Sequence, residues 1–386
     1  MIIRFPSGEP EPTEKHSLDP LTTEGGQGPS GRALRTMSPS RRTGAGLLAL
    51  SGVLLVTFLA DLYLGSVHIT LGELFRFLVG LTDPHSTAGK ILLIFRLPKA
   101  IAALLAGAAL AIAGLQMQTI FRNPLAGPFV LGINSGASLG VSIIVLAVGA
   151  STGSVFLQSF GAGGQLTLVL AATIGSAGVL LLVLAFSSRV RGVMTLLILG
   201  LLFGYAVSAI VSILIQFSSA DRIQTYIAWT FGSFGGVTWR ELPIFAPVLS
   251  AGVLASLFAA KQLNALLLGE HYAASMGLKV RRARVSIILL TALLAGTVTA
   301  FCGPIAFIGV AIPHLMRSLF STSNHRILLP AVALMGSVAA LAADIISHVP
   351  GSDLILPLNS VTALIGAPVV VWVILKRNNL QETFGS

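Results

Sequence analysis

Residues Ala100 to Gln118 read AIAALLAGAALAIAGLQMQ, a run without a single charge. A helix needs about 20 such residues to cross the hydrocarbon core of a bilayer, so this stretch spans a membrane by length and composition. Its side chains from Gly107 to Gly114 are all small or aliphatic. Small residues let helix backbones approach closely in lipid, which predicts an interior helix whose glycines serve packing rather than a ligand. Working outward, comparable windows lie near 47–65, 97–119, 128–149, 166–186, 193–217, 243–260, 285–303, 305–316, 327–347 and 356–375. The expected fold class is therefore all-α, a polytopic membrane protein of about ten transmembrane helices.

Composition agrees. Of 386 residues, 54% are hydrophobic and only 10% are charged, where a soluble domain carries about 25% charged residues; the mean hydropathy is +0.89. So few charges cannot cover a water-exposed surface. The net charge of +10 could point to nucleic acid, but the basic residues sit between apolar runs rather than in one patch, which fits membrane orientation and argues against nucleic acid. With the N-terminus inside, the cytoplasmic segments hold Arg41, Arg42, Arg122, Arg189, Arg191, Lys261, Lys279, Arg281, Arg282, Arg284, Arg317, Arg326, Lys376 and Arg377. The outer segments hold only Arg76, Lys90, Arg96, Lys99, Arg222 and Arg240. Cytoplasmic loops carry the excess of Lys and Arg, so both termini are expected inside.

Residues 1–42 are rich in Pro, Gly, Ser, Thr and Glu with almost no apolar periodicity. Such a segment cannot bury enough surface to offset its ordering entropy, and it reads as a disordered cytoplasmic tail. The run 47–64 follows too long a tail for a signal peptide and is not followed by an A-x-A site, so an uncleaved first span is expected. Residues 43–377 then form the ten-helix domain and 378–386 a short cytoplasmic tail.

The motifs narrow the chemistry. No G-x-x-x-x-G-K-[ST] loop occurs, so the chain does not itself cradle ATP phosphates. No H-E-x-x-H is present, and Cys302 is the only cysteine, which excludes an intrachain disulfide and a thiolate metal site. Ser135 in GINSGASLG could suggest an intramembrane hydrolase, but no partnering histidine helix is evident. A proton-coupled carrier needs ionisable groups within its spans; only Asp61 and Asp344 qualify, both near outer ends. Residues 261–284 form the longest cytoplasmic connection and are amphipathic, with Ala273, Ala274, Ser275 and Gly277 around a bend. A short surface helix there could fit a groove on a partner, or lie as a basic loop at lipid headgroups. Pro98, Pro124, Pro128, Pro304, Pro313, Pro357 and Pro368 fall at or within spans, where freed backbone groups must be satisfied by neighbours or line a cavity.

From about Gly65 to Arg377 the sequence resembles the vitamin B12, ferric siderophore and haem permease family of type II ABC importers. Six stretches in family order carry the resemblance: 96–140, which opens RLPKAIAALLAG, then WTFGSFGGVTW at 229–239, LGEHYAASMGLKV at 268–280, GPIAFIGVAIPHLMR at 303–317, HRILLPAVALMGSVAALAADII at 325–346 and LPLNSVTALIGAPVVVWVILKR at 356–377. The resemblance implies a ten-helix permease protomer in the bacterial cytoplasmic (inner) membrane. A second, identical permease protomer, two ATP-binding cassette subunits and an external substrate-binding protein would be its partners, with no chemistry on the cargo and no cofactor. The implied cargo is a metal chelate, a ferric siderophore foremost, with cobalamin or haem as near alternatives.

Carried over residue by residue, the resemblance assigns ATPase coupling to Gly269, Glu270, Ala273, Ala274, Met276 and Gly277, with Met276 in place of the common leucine. It assigns binding-protein docking to Arg96 and Lys99, of an R-L-P-R pattern in which lysine replaces the second arginine, and to His348, four residues after Asp344, where arginine is usual. It runs the translocation path along ILGLLFGYA at 198–206, with Gly200, Phe203 and Gly204 as the constriction. The last helix departs from the family's E-L-P-x-G opening and reads ILPLNS at 355–360.

Overall fold

The computed structural model describes residues 39–148, 164–187, 193–348 and 354–384. The tail read at 1–42 falls outside this range up to residue 38, as do the last two residues of the segment 378–386. The described residues are helical, without a strand: α1 (Pro39–Tyr63), α2 (Leu71–Leu78), α3 (Thr87–Lys90), α4 (Leu97–Ile120), α5 (Ile133–Ser142), α6 (Gly164–Ser187), α7 (Val193–Gln216), α8 (Ala220–Thr230), α9 (Leu242–Phe258), α10 (Ala260–Leu268), α11 (Glu270–Ser275), α12 (Val280–Cys302), α13 (Ile308–Phe320), α14 (His325–Ser347) and α15 (Leu358–Phe384).

Each of the ten apolar windows holds a helix. Thr43–Tyr63, Thr87–Ile120, Ile198–Gln216, Val280–Cys302 and His325–Ser347 are long and apolar enough to cross a membrane, as is the pair α9 and α10 if its 51° bend lies within one span. Ile133–Ala147, Leu166–Leu182, Ile308–Phe320 and Leu358–Trp372 are shorter apolar helices. The second window begins earlier than its hydropathy indicates, because helix runs on from Thr87 through a π-helical segment, Ile91–Arg96, into α4. That wider turn ends just before Pro98, whose ring cannot be accommodated by a regular helical turn.

The Ala100–Gln118 stretch occupies the centre, as its small residues predict. From Ala106 to Ile120 every residue of α4 is buried. α14 packs along one side, α13, α12 and α9 along others, and α1 packs mainly on α14 while also touching α4. The α4–α14 contact is backbone to backbone: a Cβ on Gly107 would overlap the Gly336 carbonyl, and one on Gly336 would overlap Gly107. Gly114 meets the backbone of Gly309 in α13 equally closely. Lipid supplies no hydrophobic drive between helices, so such close packing and interhelical hydrogen bonds hold the bundle. Buried Gln116 supplies two, donating to Ser256 Oγ of α9 at 2.9 Å and accepting from Thr291 Oγ1 of α12 at 2.7 Å. Ser337 Oγ donates across to the Leu104 carbonyl at 2.7 Å.

One break in the helices lies beside Pro304. Residues 303–306 are non-helical, and Gly303 and Phe307 have φ of 74° and 67°. The freed groups are met by neighbours: Ser233 N–H donates to the Cys302 carbonyl at 2.8 Å, and Ala306 N–H donates to Asn359 Oδ1 at 3.1 Å. Asn359 N–H in turn donates to the Phe231 carbonyl at 2.9 Å. Asn359 stands where the family pattern has glycine, and its side chain takes up a backbone donor that would otherwise be orphaned.

Candidate functional site

α4 and α14 run antiparallel, so the amino end of one meets the carboxyl end of the other. A polar cluster closes each end of the pair.

At the end containing Ile120, the segment 260–277 lies across the bundle. It forms two helices rather than one short surface helix in a loop, because Gly269 at φ 124° turns the chain between α10 and α11. Glu270 opens α11 and pairs with Arg284 of α12. The helix ends in a Schellman turn, with Leu278 N–H donating to the Ala273 carbonyl at 3.0 Å and Gly277 N–H to the Ala274 carbonyl at 2.9 Å. Gly277 there has φ 83°, a conformation that costs a residue with a Cβ. Ala273 is fully buried, whereas Ala274, Met276 and Gly277 are exposed together with Tyr272. Six residues assigned to one role thus form a rigid knuckle with one inward anchor and an outward, largely apolar face.

Beneath that knuckle is a cavity of about 310 Å³ whose walls include Ile120, Arg122, Leu266, Glu270, His271 and Arg284. Arg122 Nη2 reaches the Leu266 carbonyl at 3.4 Å. Deeper in, His325, 1% exposed at the start of α14, joins Asn264 of α10 to Thr119 of α4. Sequence reading missed this set, since Thr119, Asn264 and His325 are spread over more than two hundred positions and match no motif.

At the opposite end, Arg96 is 6% exposed. Its guanidinium donates to the carbonyls of Leu62 and Tyr63, each at 2.7 Å, and of Val67 at 2.5 Å, closing the carboxyl end of α1, where helix carbonyls lack partners. Lys99 Nζ lies 2.6 Å from Asp344 Oδ2, and His348 Nδ1 lies 3.6 Å from Asp344 Oδ1. Asp61 lies against the Asp344 carboxyl as well. The structure therefore brings Lys99 and His348 together through Asp344, and turns Arg96 inward to hold the chain leaving α1. The two acidic residues noted singly in the sequence belong to one cluster, which pairs basic groups that would otherwise stand unexplained at that end.

Of the residues read as a path constriction, Gly200 is buried and Phe203 and Gly204 are half-buried. A Cβ on Gly204 would stand 3.3 Å from Ser135 Oγ of α5, and one on Gly132 would stand 3.6 Å from the Gly200 carbonyl. The two glycines thus face α5, and Ser135 is a packing partner on that side. The neighbouring side of α7 is open: Leu201, Leu202 and Tyr205 are 54%, 55% and 66% exposed. Among the described residues no group of His, Cys, Asp and Glu could hold a metal ion.

The FecCD transport family model matches residues 53–376. The vitamin B12 import system permease protein BtuC of Klebsiella pneumoniae subsp. pneumoniae is 36% identical over 337 residues, 87% of this chain and 95% of that protein. The protein of the same name from Salmonella typhi is 34% identical over 340 residues, covering 87% and 96%. Among solved structures, one described as an inward-facing conformation of an ABC transporter assigned to the metal-chelate type superposes with a TM-score of 0.74 at 29% identity, covering 86% of this chain and 98% of that one. A buried, glycine-lined α4, the knuckle at 269–277 and the matched length have one explanation: the chain belongs to the FecCD transport family and is the multi-pass membrane permease of an ABC importer, with ATP hydrolysis left to a separate subunit.

Proposed function

We propose that the chain forms, with a second copy of itself, the membrane path of a ten-helix-per-protomer importer that carries a metal chelate across a bacterial cytoplasmic membrane. The knuckle at 269–277 carries this reading. Its exposed face offers Tyr272, Ala274 and Met276 on a frame fixed by the Glu270–Arg284 pair and the Gly277 turn, which suits rigid-body docking into a groove of an ATPase and transmission of its closure. With this end cytoplasmic, both termini are inside and the Arg96 end is outside.

The external binding protein then docks at the outer end, with Lys99 and His348 at the rim and Arg96 acting from below to shape the turn after α1. The path follows α7 between the copies, at the level of Gly200, Phe203 and Gly204. Two cargoes are proposed. Cobalamin rests on the names of the relatives at 34–36% identity, and a ferric siderophore on the sequence resemblance, which does not separate the family's chelates.

The test is the affinity of the binding protein for labelled cyanocobalamin and for ferric siderophores, together with ATPase copurification. The proposal expects one chelate to bind and two ATPase chains to copurify with two permease chains. A permease isolated without any ATPase partner, under conditions that preserve its dimer, would contradict it. Replacement of Gly277 by Trp should leave insertion intact and uncouple hydrolysis from uptake; unchanged uptake would count against the knuckle.

A further inference from the structure

We infer that Thr119, Asn264 and His325 form a clamp, centred on the buried His325 ring, that carries the displacement of the 260–277 segment into the two central helices, α4 and α14. The inference rests on the coupling role proposed above.

The covalent chain leads from this segment only to α9 and α12. The central pair must receive any movement through contacts. Apolar contacts from Leu263 and Leu266, both buried, can slide by a fraction of a side chain without losing much. Directional hydrogen bonds between buried groups cannot, since a buried donor or acceptor left unpaired is costly.

The clamp centres on two buried groups, the His325 ring and the Thr119 hydroxyl, with half-buried Asn264 as the partner on α10. Asn264 Oδ1 accepts from the His325 backbone N–H at 2.9 Å and lies 2.8 Å from His325 Nδ1. The Asn264 amide nitrogen donates to Asn324 Oδ1 at 2.9 Å, and that same oxygen caps α14 through Arg326 N–H at 3.0 Å. Because a carbonyl oxygen can only accept, His325 Nδ1 carries the proton. Nε2 then offers a lone pair to Thr119 Oγ1, 2.7 Å away, whose one hydroxyl proton is shared between this nitrogen and the Leu115 carbonyl at 2.9 Å. Every polar atom of the imidazole is engaged, and one ring bridges α10 to α4 while its own backbone belongs to α14. By comparison, Arg122 ties the segment to α4 through a single 3.4 Å contact.

His325 and its partners are positioning residues. Their bonds join helices of the permease to one another, and α10 cannot shift against α14 or α4 without costing the buried His325 ring a partner. The ratio of chelate imported to ATP hydrolysed therefore depends on them. The variants are Thr119→Val, which removes the hydroxyl at nearly constant shape, with Thr119→Ser as its conservative control, and Asn264→Leu, which removes both the acceptor of His325 and the donor to Asn324. The measurement is made on the full complex, permease with its ATPase and binding protein, in proteoliposomes.

ATP hydrolysis should stay within about twofold of the parent while chelate imported per ATP falls by about tenfold in Thr119→Val and Asn264→Leu, the range of a typical coupling energy. Thr119→Ser should stay within about twofold of the parent. An unchanged ratio in both disruptive variants would overturn the clamp. So would loss of assembly and hydrolysis together in both, which would mark the trio as a folding requirement only. Failure of the parent permease to copurify with an ATPase would instead sink the coupling role on which the clamp rests, and is read before any variant is compared.

Discussion

The side chains at the Arg96 end of α4 are paired in ways that composition alone does not reveal. Lys99 is 13% exposed and Asp344 2% exposed across their 2.6 Å pair. Removing one partner of a buried pair leaves an uncompensated charge, at a cost of about 3–5 kcal/mol. Lys99→Met should therefore lower the thermal midpoint of the detergent-solubilised protein, and Lys99→Met with Asp344→Asn should recover part of the loss. A Lys99→Met protein as stable as the parent would show that the pair is not holding α4 to α14. At the start of α2, Thr70 N–H and hydroxyl both bond Glu73, at 2.8 and 2.9 Å, and hold its carboxyl below the usual glutamate range. A depressed folded value means that the cap contributes fully above the ordinary pKa of about 4.3 and is lost as pH falls through the depressed one. Hydrogen exchange at the Glu73 amide, relative to its intrinsic rate, should accelerate over that acidic range. In Thr70→Ala it should be fast throughout, and a pH-independent amide in the parent would refute the capping box as its protection.

Helices were legible where composition decides them. The run at 100–118 announced a central helix because only close backbone contact makes use of so many glycines and alanines, and Gly107 and Gly114 do meet the backbones of Gly336 and Gly309. The start of that helix at Thr87 was not legible, since the preceding turns are fixed by the π-helical segment before Pro98 and not by hydropathy. Arg96, read as the outer end of the second span, lies within a helix that continues back to Thr87, and its inward bonds to 62, 63 and 67 depend on how α1 ends against it. Likewise the Thr119–Asn264–His325 set has no periodicity and exists only once three helices are packed. Glycines themselves divide by environment. Gly107→Ala should sharply reduce yield and thermal stability, because the added methyl overlaps the Gly336 carbonyl, whereas Gly178→Ala on α6 meets nothing within 4 Å and should be neutral or slightly stabilising. Equal behaviour of the two would mean that α4 and α14 do not approach as closely as the structure shows.

Across the molecule, the two polar clusters sit at opposite ends of α4, whose residues 99 and 119 are separated by about 30 Å at 1.5 Å per residue. Between them the helix is apolar apart from Gln116 and Gln118, both hydrogen-bonded. This arrangement suits a transporter whose external and internal signals arrive at the two ends of one rigid, glycine-packed pair. A carrier driven by protons needs ionisable groups along its path; Asp61 and Asp344 both lie in the cluster at the Lys99 end. The most direct measurement is chelate uptake into proteoliposomes holding the permease, its ATPase and the binding protein, with ATP or a proton gradient supplied separately. Uptake should require hydrolysable ATP and the binding protein and be indifferent to the gradient; uptake sustained by the gradient without ATP would contradict the account.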